Sequence, residues 1–156
     1  MVRSIVRTVS RSIVRGIVRI VGGITQVFIN LESTASAYYS LSTPWVASGD
    51  FEIEVEFYIA DVSAIATAAM ILGNSAGTEN SMWVTPTGEI VIRDNTGLNR
   101  TTSAVVTSGK LHALRYVKVG SNIQGFLNGV EVLPTVSFGS MSVDRLGVRE
   151  LASFFF

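Results

Sequence analysis

The sequence predicts an all-β protein built from two packed antiparallel sheets, and three observations carry that expectation. From Gly22 onward, short runs rich in Val, Ile, Phe and Tyr are separated by Gly, Asn, Ser, Thr or Pro. One run, Phe51–Ile59, alternates strictly between apolar and polar residues. Helical periodicity is hard to find between these runs, so no helical layer is available to cover a sheet. The apolar face of one sheet then has to be buried against another sheet.

The expected strands, in order, are 25–31, 51–59, 81–84, 89–93, 111–119, 123–127 and 131–133. The clearest is the second. Phe51, Ile53, Val55, Phe57 and Ile59 fall on one face of an extended chain, and Glu52, Glu54, Glu56 and Tyr58 fall on the other. Two hairpins are legible in the turn residues. Pro86-Thr87-Gly88 precedes the strand at Glu89, and Asn128-Gly129 supplies the two positive φ positions of a tight turn between 123–127 and 131–133.

Composition bounds the rest. A chain of 156 residues with 47% hydrophobic content can build one domain with a real core and is too short for two ordinary ones. With no cysteine there are no disulfides and no thiol chemistry, and with one histidine a zinc site of the usual composition is not expected. Asp94, Asn95 and Asn99 form an oxygen-rich turn, but a single carboxylate is a poor start for calcium, so neither metal nor cofactor is expected. No stretch approaches eighteen uncharged apolar residues, so no bilayer-spanning helix is expected. The arginines near the N-terminus interrupt every candidate apolar core of a signal peptide, which disfavours cleavable targeting.

Formal neutrality hides a division of charge. Arg3, Arg7, Arg11, Arg15 and Arg19 recur every four residues in the first twenty-three positions, with no acid among them, while the remainder carries all twelve carboxylates against seven basic residues. Residues 1–23 are therefore expected to be a basic and apolar arm, and 24–156 the sandwich domain. At helical spacing the five arginines wind around the cylinder and leave no clean charged face. Extended, they share one side with Ile5, Val9, Ile13, Ile17 and Val21 between them. The β-branched content favours the extended form, and the arm is expected to become ordered only against a partner. Without aromatic residues for base stacking, and without lysine, residues 1–23 disfavour nucleic acid as that partner. Membrane contact is not expected either. The favoured contact is protein, with arginines forking onto the carboxylates of a neighbouring copy and the Ile and Val residues filling apolar grooves.

The body carries a pattern of segments in order: Tyr39-Ser40-Leu41-Ser42-Thr43-Pro44, Ser48-Gly49-Asp50-Phe51-Glu52-Ile53-Glu54-Val55-Glu56-Phe57, Met70-Ile71-Leu72-Gly73, Gly109-Lys110-Leu111-His112-Ala113-Leu114-Arg115-Tyr116 and Gly125-Phe126-Leu127-Asn128-Gly129-Val130-Glu131-Val132. In this order and spacing it resembles the laminin-G-like, or concanavalin A-like, jelly roll over roughly residues 30 to 150. The resemblance implies a two-sheet antiparallel jelly-roll sandwich with an extended N-terminal arm. Two departures stand out. Leu111 occupies the place before His112 where members often have tryptophan, and after Asp144-Arg145-Leu146-Gly147-Val148 the sequence given runs to Phe154-Phe155-Phe156 rather than through one more strand with glycine and an acid. Phe154, Phe155 and Phe156 are expected to be covered, by this domain's own final strand or by another chain, unless the sequence is part of a longer one.

Glu52-Ile53-Glu54-Val55-Glu56-Phe57 also looks like the catalytic strand of jelly-roll glycoside hydrolases that cleave β-glucans. That likeness would make Glu52 the nucleophile, Glu54 the assisting acid and Glu56 the general acid/base. Glutamate in place of the central aspartate, the position of the strand early in a short domain, and the scarcity of aromatic platforms all argue against hydrolysis, so no catalytic residue is assigned. Alternation alone accounts for the three glutamates as the solvated face of a half-buried strand. His112 and Trp83 read as packing residues. Tyr38, Tyr39 and Trp45, the last read as lying in a loop after Pro44, are the candidate sugar-stacking residues.

Compact jelly rolls held by terminal arms are similar to virion components of tailed phages, in which such domains decorate heads or occur in tails and fibres. The expectation is therefore a non-enzymatic structural protein of a virion, assembling with its own copies and other virion proteins through the arm and the final phenylalanines. The alternative is a lectin-like module that binds a glycan, and the minor one is a β-glucan hydrolase.

Overall fold

The structure, a computed structural model, describes residues 13–21, 25–32 and 39–146. They form two antiparallel six-stranded sheets packed face to face, a jelly-roll sandwich, as expected. The strands are β1 (Ile13–Val21), β2 (Thr25–Glu32), β3 (Tyr39–Ala47), β4 (Phe51–Ile59), β5 (Ala69–Asn74), β6 (Gly77–Val84), β7 (Glu89–Arg93), β8 (Asn99–Ala104), β9 (Lys110–Val119), β10 (Asn122–Leu127), β11 (Val130–Ser137) and β12 (Met141–Leu146). The first sheet runs β11-β10-β9-β4-β1-β2 and the second β3-β12-β5-β6-β7-β8. A 3-10 turn, Val62–Ala64, is capped by Asp61, whose carboxylate accepts from the Ser63 amide at 2.9 Å.

Alternation places the core. Every odd residue of β4 from Phe51 to Ile59 is buried, and the even ones are partly or fully exposed. On β9 the buried set is His112, Leu114, Tyr116 and Lys118. The opposing sheet contributes Ile71, Leu72, Met82, Val84, Ile90, Ile92, Met141, Val143 and Leu146 to the same cluster. Lys118 reaches the sandwich rim, where its ammonium donates to the carbonyls of Gly49 and Gly120 at 3.1 and 2.5 Å. The tight turn between β10 and β11 takes the predicted form, with φ of 52° at Asn128 and 80° at Gly129. Gly125 is required for a different reason: a Cβ there would lie 2.5 Å from Cε1 of the Tyr116 ring, which packs directly over it.

The N-terminal segment departs from expectation. Ile13–Val21 is a strand of the chain's own sheet, paired antiparallel with β2 over Ile13–Ile20 and with β4 over Ile17–Val21. The sandwich therefore begins by Ile13, within the stretch 1–23 expected to be an arm ordered only by a partner. The reason is local. The Val- and Ile-rich stretch is followed closely by a second strand-forming run, so the two make a hairpin whose free edge β4 takes up. Arg3, Ile5, Arg7, Val9 and Arg11 lie outside the described residues, as do Tyr38 and Phe154, Phe155 and Phe156.

Candidate functional site

β4, β9 and β10 lie side by side in the first sheet, and their outward residues line a groove of about 520 Å³. Its polar groups are Glu54 and Glu56 from β4 and Arg115 from β9, its aromatic wall is Phe126 from β10, and Ala113 and Gly129 keep it open. Each residue is there because of strand period two. Ile53, Val55, Leu114, Ile123 and Leu127 take the inner positions, which sends their alternate neighbours outward.

Cross-strand register sets the electrostatics. Glu54 is paired with Arg115 on one side and, at backbone level, with Arg19 of β1 on the other. Arg115 reaches diagonally to Glu52, donating from Nε to Oε1 at 2.8 Å and from Nη2 to Oε2 at 2.9 Å. Its guanidinium carbon also lies 5.9 Å from the Phe126 ring centroid. The hydrogen bonds to Glu52 hold the guanidinium pKa above its usual value, outweighing the effect of burial, and the charges of Glu52 and Glu54 act in the same direction. Arg115 is thus a planar donor held between a carboxylate and an aromatic face.

The turn bordering the groove is fixed from below. The Asn128 side-chain carbonyl accepts from the Ala113 amide at 2.8 Å, and the Asn128 amide donates to the Ala113 carbonyl at 2.7 Å. Asn128 Nδ2 also lies 3.3 Å from Nδ1 of His112. His112 is buried, tilted against the Phe57 ring at 5.5 Å, with Nε2 at 3.0 Å from the Thr107 carbonyl. It is a packing residue beneath the groove.

Of the sugar-stacking candidates from the sequence, Tyr38 lies outside the described residues, and Tyr39 and Trp45 belong to β3, in the sheet opposite the groove. Trp45 requires a correction: it is not in a loop but in β3, half-buried, and makes an edge-on contact with Phe51 at 5.4 Å between centroids. Part of the indole is thereby engaged in packing against the core. Tyr39 opens the same strand, in the other sheet. Trp83 is buried with Ala68 and Val91 and has the Arg93 guanidinium 5.3 Å above its ring, consistent with a packing role. The aromatic residue that does face the groove is Phe126. The signal for it was present in Asn122–Leu127, where alternation with Ile123, Gly125 and Leu127 puts Gln124 and Phe126 on the solvated face.

The glutamate row is equally informative. β4 pairs with β9 over nine consecutive residues without a bulge, so carboxylate-bearing positions two apart are separated by roughly 7 Å along the strand and Glu52 and Glu56 by roughly 13 Å. Glu52, the nucleophile of the hydrolase-like reading, has both oxygens engaged by Arg115. The oxygen-rich turn is engaged too. Asp94 accepts from Thr96, Gly139 and Arg100, the Asn95 side chain accepts from the Ser140 amide, and that of Asn99 accepts from Arg93 Nε at 2.6 Å.

Comparison with protein-family models gives no match, and comparison with curated proteins gives none either.

Proposed function

We propose that the protein is a non-enzymatic glycan-binding module and that its ligand lies in the groove over β4, β9 and β10. The observation that carries this reading is the combination of one half-exposed aromatic ring with a fixed planar donor and two carboxylates in a cavity of about 520 Å³. A sugar presents an apolar C–H face and a rim of hydroxyls. Phe126 offers a surface for the first, while Arg115 can donate to hydroxyl oxygens and Glu54 and Glu56 can accept from hydroxyl protons. The carboxylates would repel an acidic sugar, so the ligand class is a neutral glycan. The Glu52–Arg115 fork supports binding without hydrolysis, because it engages both oxygens of the carboxylate that the hydrolase-like reading makes the nucleophile.

A glycan array probed with the wild-type chain and with Phe126→Ala is the test. Binding to neutral glycans that disappears in Phe126→Ala and weakens in Glu56→Gln is the expected result. An array without hits, or binding indifferent to Phe126, overturns the reading. Incubation with laminarin should release no reducing sugar; release that Glu52→Gln abolishes would establish the hydrolase instead.

A second reading is favoured by the way the N-terminal segment enters the sandwich. Because Ile13–Val21 is hydrogen-bonded between β2 and β4, anything that residues 1–12 hold is tied to the body through a sheet rather than a linker. This suits a virion component of a tailed phage, a capsid decoration or a tail- or fibre-associated subunit. Deleting residues 1–12 should then abolish attachment to the particle and leave the fold and any glycan binding intact. Attachment that survives the deletion removes this reading.

A further inference from the structure

Four strands form the outer edges of the two sheets among the described residues, and three of them carry features that discourage further pairing. β11 contains Pro134, and its register against β10 breaks at Ile123/Gly125 and again at Gly125/Phe126. β3 contains Pro44, and its register with β12 breaks at Val143/Arg145. β8 is six polar or small residues with a register break against β7, and its Arg100 is spent on the Ser137 and Leu98 carbonyls. Proline, bulges and edge charges are the usual protections against edge-to-edge association.

β2 has none of them. It pairs with β1 over eight consecutive residues without a break, and Thr-Gln-Val-Phe-Ile-Asn-Leu-Glu contains no proline, no glycine and no basic residue, with its single charge at the last position. The sequence is also self-complementary. A twofold axis normal to the sheet and centred on Phe28 would set Phe28 opposite its own copy, Val27 opposite Ile29, Gln26 opposite Asn30 and Thr25 opposite Leu31. Val27, Phe28 and Ile29 then face apolar residues and amide faces amide, with Thr25 against Leu31 at the two ends, while Glu32 falls outside the paired stretch. Centring on Ile29 instead would set Phe28 opposite Asn30 and Gln26 opposite Glu32, losing the match.

We propose that β2 is a homodimerisation edge, on which a second copy of this chain adds its own β2 antiparallel, joining two six-stranded sheets into one continuous sheet. The partner is argued from the near-palindrome Gln26-Val27-Phe28-Ile29-Asn30, which makes the strand its own complement. The proposal stands apart from the glycan reading, since the groove lies over β4, β9 and β10 and β1 separates β4 from the dimer edge.

Phe28 is the residue to change. It pairs with Ile17, which pairs with Glu56, so its register position follows the solvated line of β4 rather than the core line through Val55. The full chain should sediment at twice its 16.8 kDa at micromolar concentration. Phe28→Lys and Phe28→Glu should each sediment as monomers, because each sets like charges opposite one another at the dyad, and an equimolar mixture of the two should restore the dimer. A monomeric wild type, dimers unaffected by either substitution, or two folded variants that fail to pair when mixed would each overturn the proposal. Hydrogen exchange of the wild type needs no variant: amides of β2 should gain protection as concentration rises from the monomer to the dimer range. Unchanged protection of β2 over a range in which the mass doubles would place the interface elsewhere and refute the proposal.

Discussion

Asp94 offers the sharpest test of what holds the two sheets together. It lies in the turn after β7, fully buried, and its carboxylate accepts from the Thr96 amide at 2.9 Å, the Thr96 hydroxyl at 2.5 Å and the Gly139 amide at 2.8 Å, with Arg100 Nη2 at 3.0 Å. Gly139 sits on the connection by which the chain crosses from β11 in the first sheet to β12 in the second. Asn95 reinforces the clasp by accepting from the Ser140 amide at 3.1 Å, and Arg100 adds a contact over the Phe138 ring at 5.5 Å. Asp94→Ala removes the acceptor of the Thr96 and Gly139 amides and of Arg100 Nη2, while Arg100 keeps its bonds to the Ser137 and Leu98 carbonyls. Leaving buried donors without their acceptor costs about 1–3 kcal/mol, against a total stability of about 5–15 kcal/mol for a domain.

The pH dependence gives an independent reading. Burial, the largest influence, pushes the Asp94 pKa up, but the hydrogen bonds from Thr96 and Gly139 and the charge of Arg100 outweigh it and hold the carboxyl below its ordinary value. A depressed folded pKa stabilises the fold above the unfolded pKa of about 3.9, and that stability is lost as pH falls through the folded value. Urea unfolding of wild type and Asp94→Asn should therefore show a gap that is constant from neutral pH down to about 5 and narrows below about 4. A loss under about 1 kcal/mol for Asp94→Ala at neutral pH, or a gap independent of acid, would refute the clasp as a stabilising element.

Three further outcomes follow from the packing. Tyr116 is buried with no hydrogen-bond partner for its hydroxyl among the described residues, and burial raises its pKa, so Tyr116→Phe should leave the midpoint of thermal unfolding unchanged or raise stability by up to about 1–3 kcal/mol; a clear loss would reveal a partner for the hydroxyl. Gly125→Ala forces a Cβ against the Tyr116 ring and Leu133 and should cost about 1–3 kcal/mol in chemical denaturation; an unchanged midpoint would show that the ring yields. Trp45→Ala should lower stability by about 3 kcal/mol or less, since the ring is only half-buried, and should leave glycan-array binding unchanged, the reverse of what a sugar-stacking Trp45 would give.

Some of this was dictated by local sequence. The alternation in Phe51–Ile59 determined which face of β4 is buried, because period two leaves no other way to cover five apolar side chains on one strand. Asn128-Gly129 determined the β10–β11 turn, because few residue pairs accept two consecutive positive φ angles. Polar β8 escaped notice because Asn99–Ala104 carries no apolar alternation and is a strand only through its pairing with β7. Trp45 was misplaced because Pro44 reads as a loop signal, whereas an edge strand tolerates proline where no ladder hydrogen bond is needed.

The charge division between residues 1–23 and the body was visible in the sequence, but its local consequence was not. Which carboxylate an arginine meets is a matter of register between strands more than thirty residues apart, and that register set Arg19 opposite Glu54 of the same chain. The groove has the same origin. Glu54, Arg115 and Phe126 are spread over more than seventy positions and become neighbours only because β4, β9 and β10 pair side by side. Sequence by itself determined the strands with strong alternation and the turns that demand special backbone angles, since these depend on neighbouring residues. Tertiary structure alone decided the N-terminal strand's place in the sheet, the outer position of β2 among the described residues and the composition of the groove, since each depends on which distant strands share hydrogen bonds.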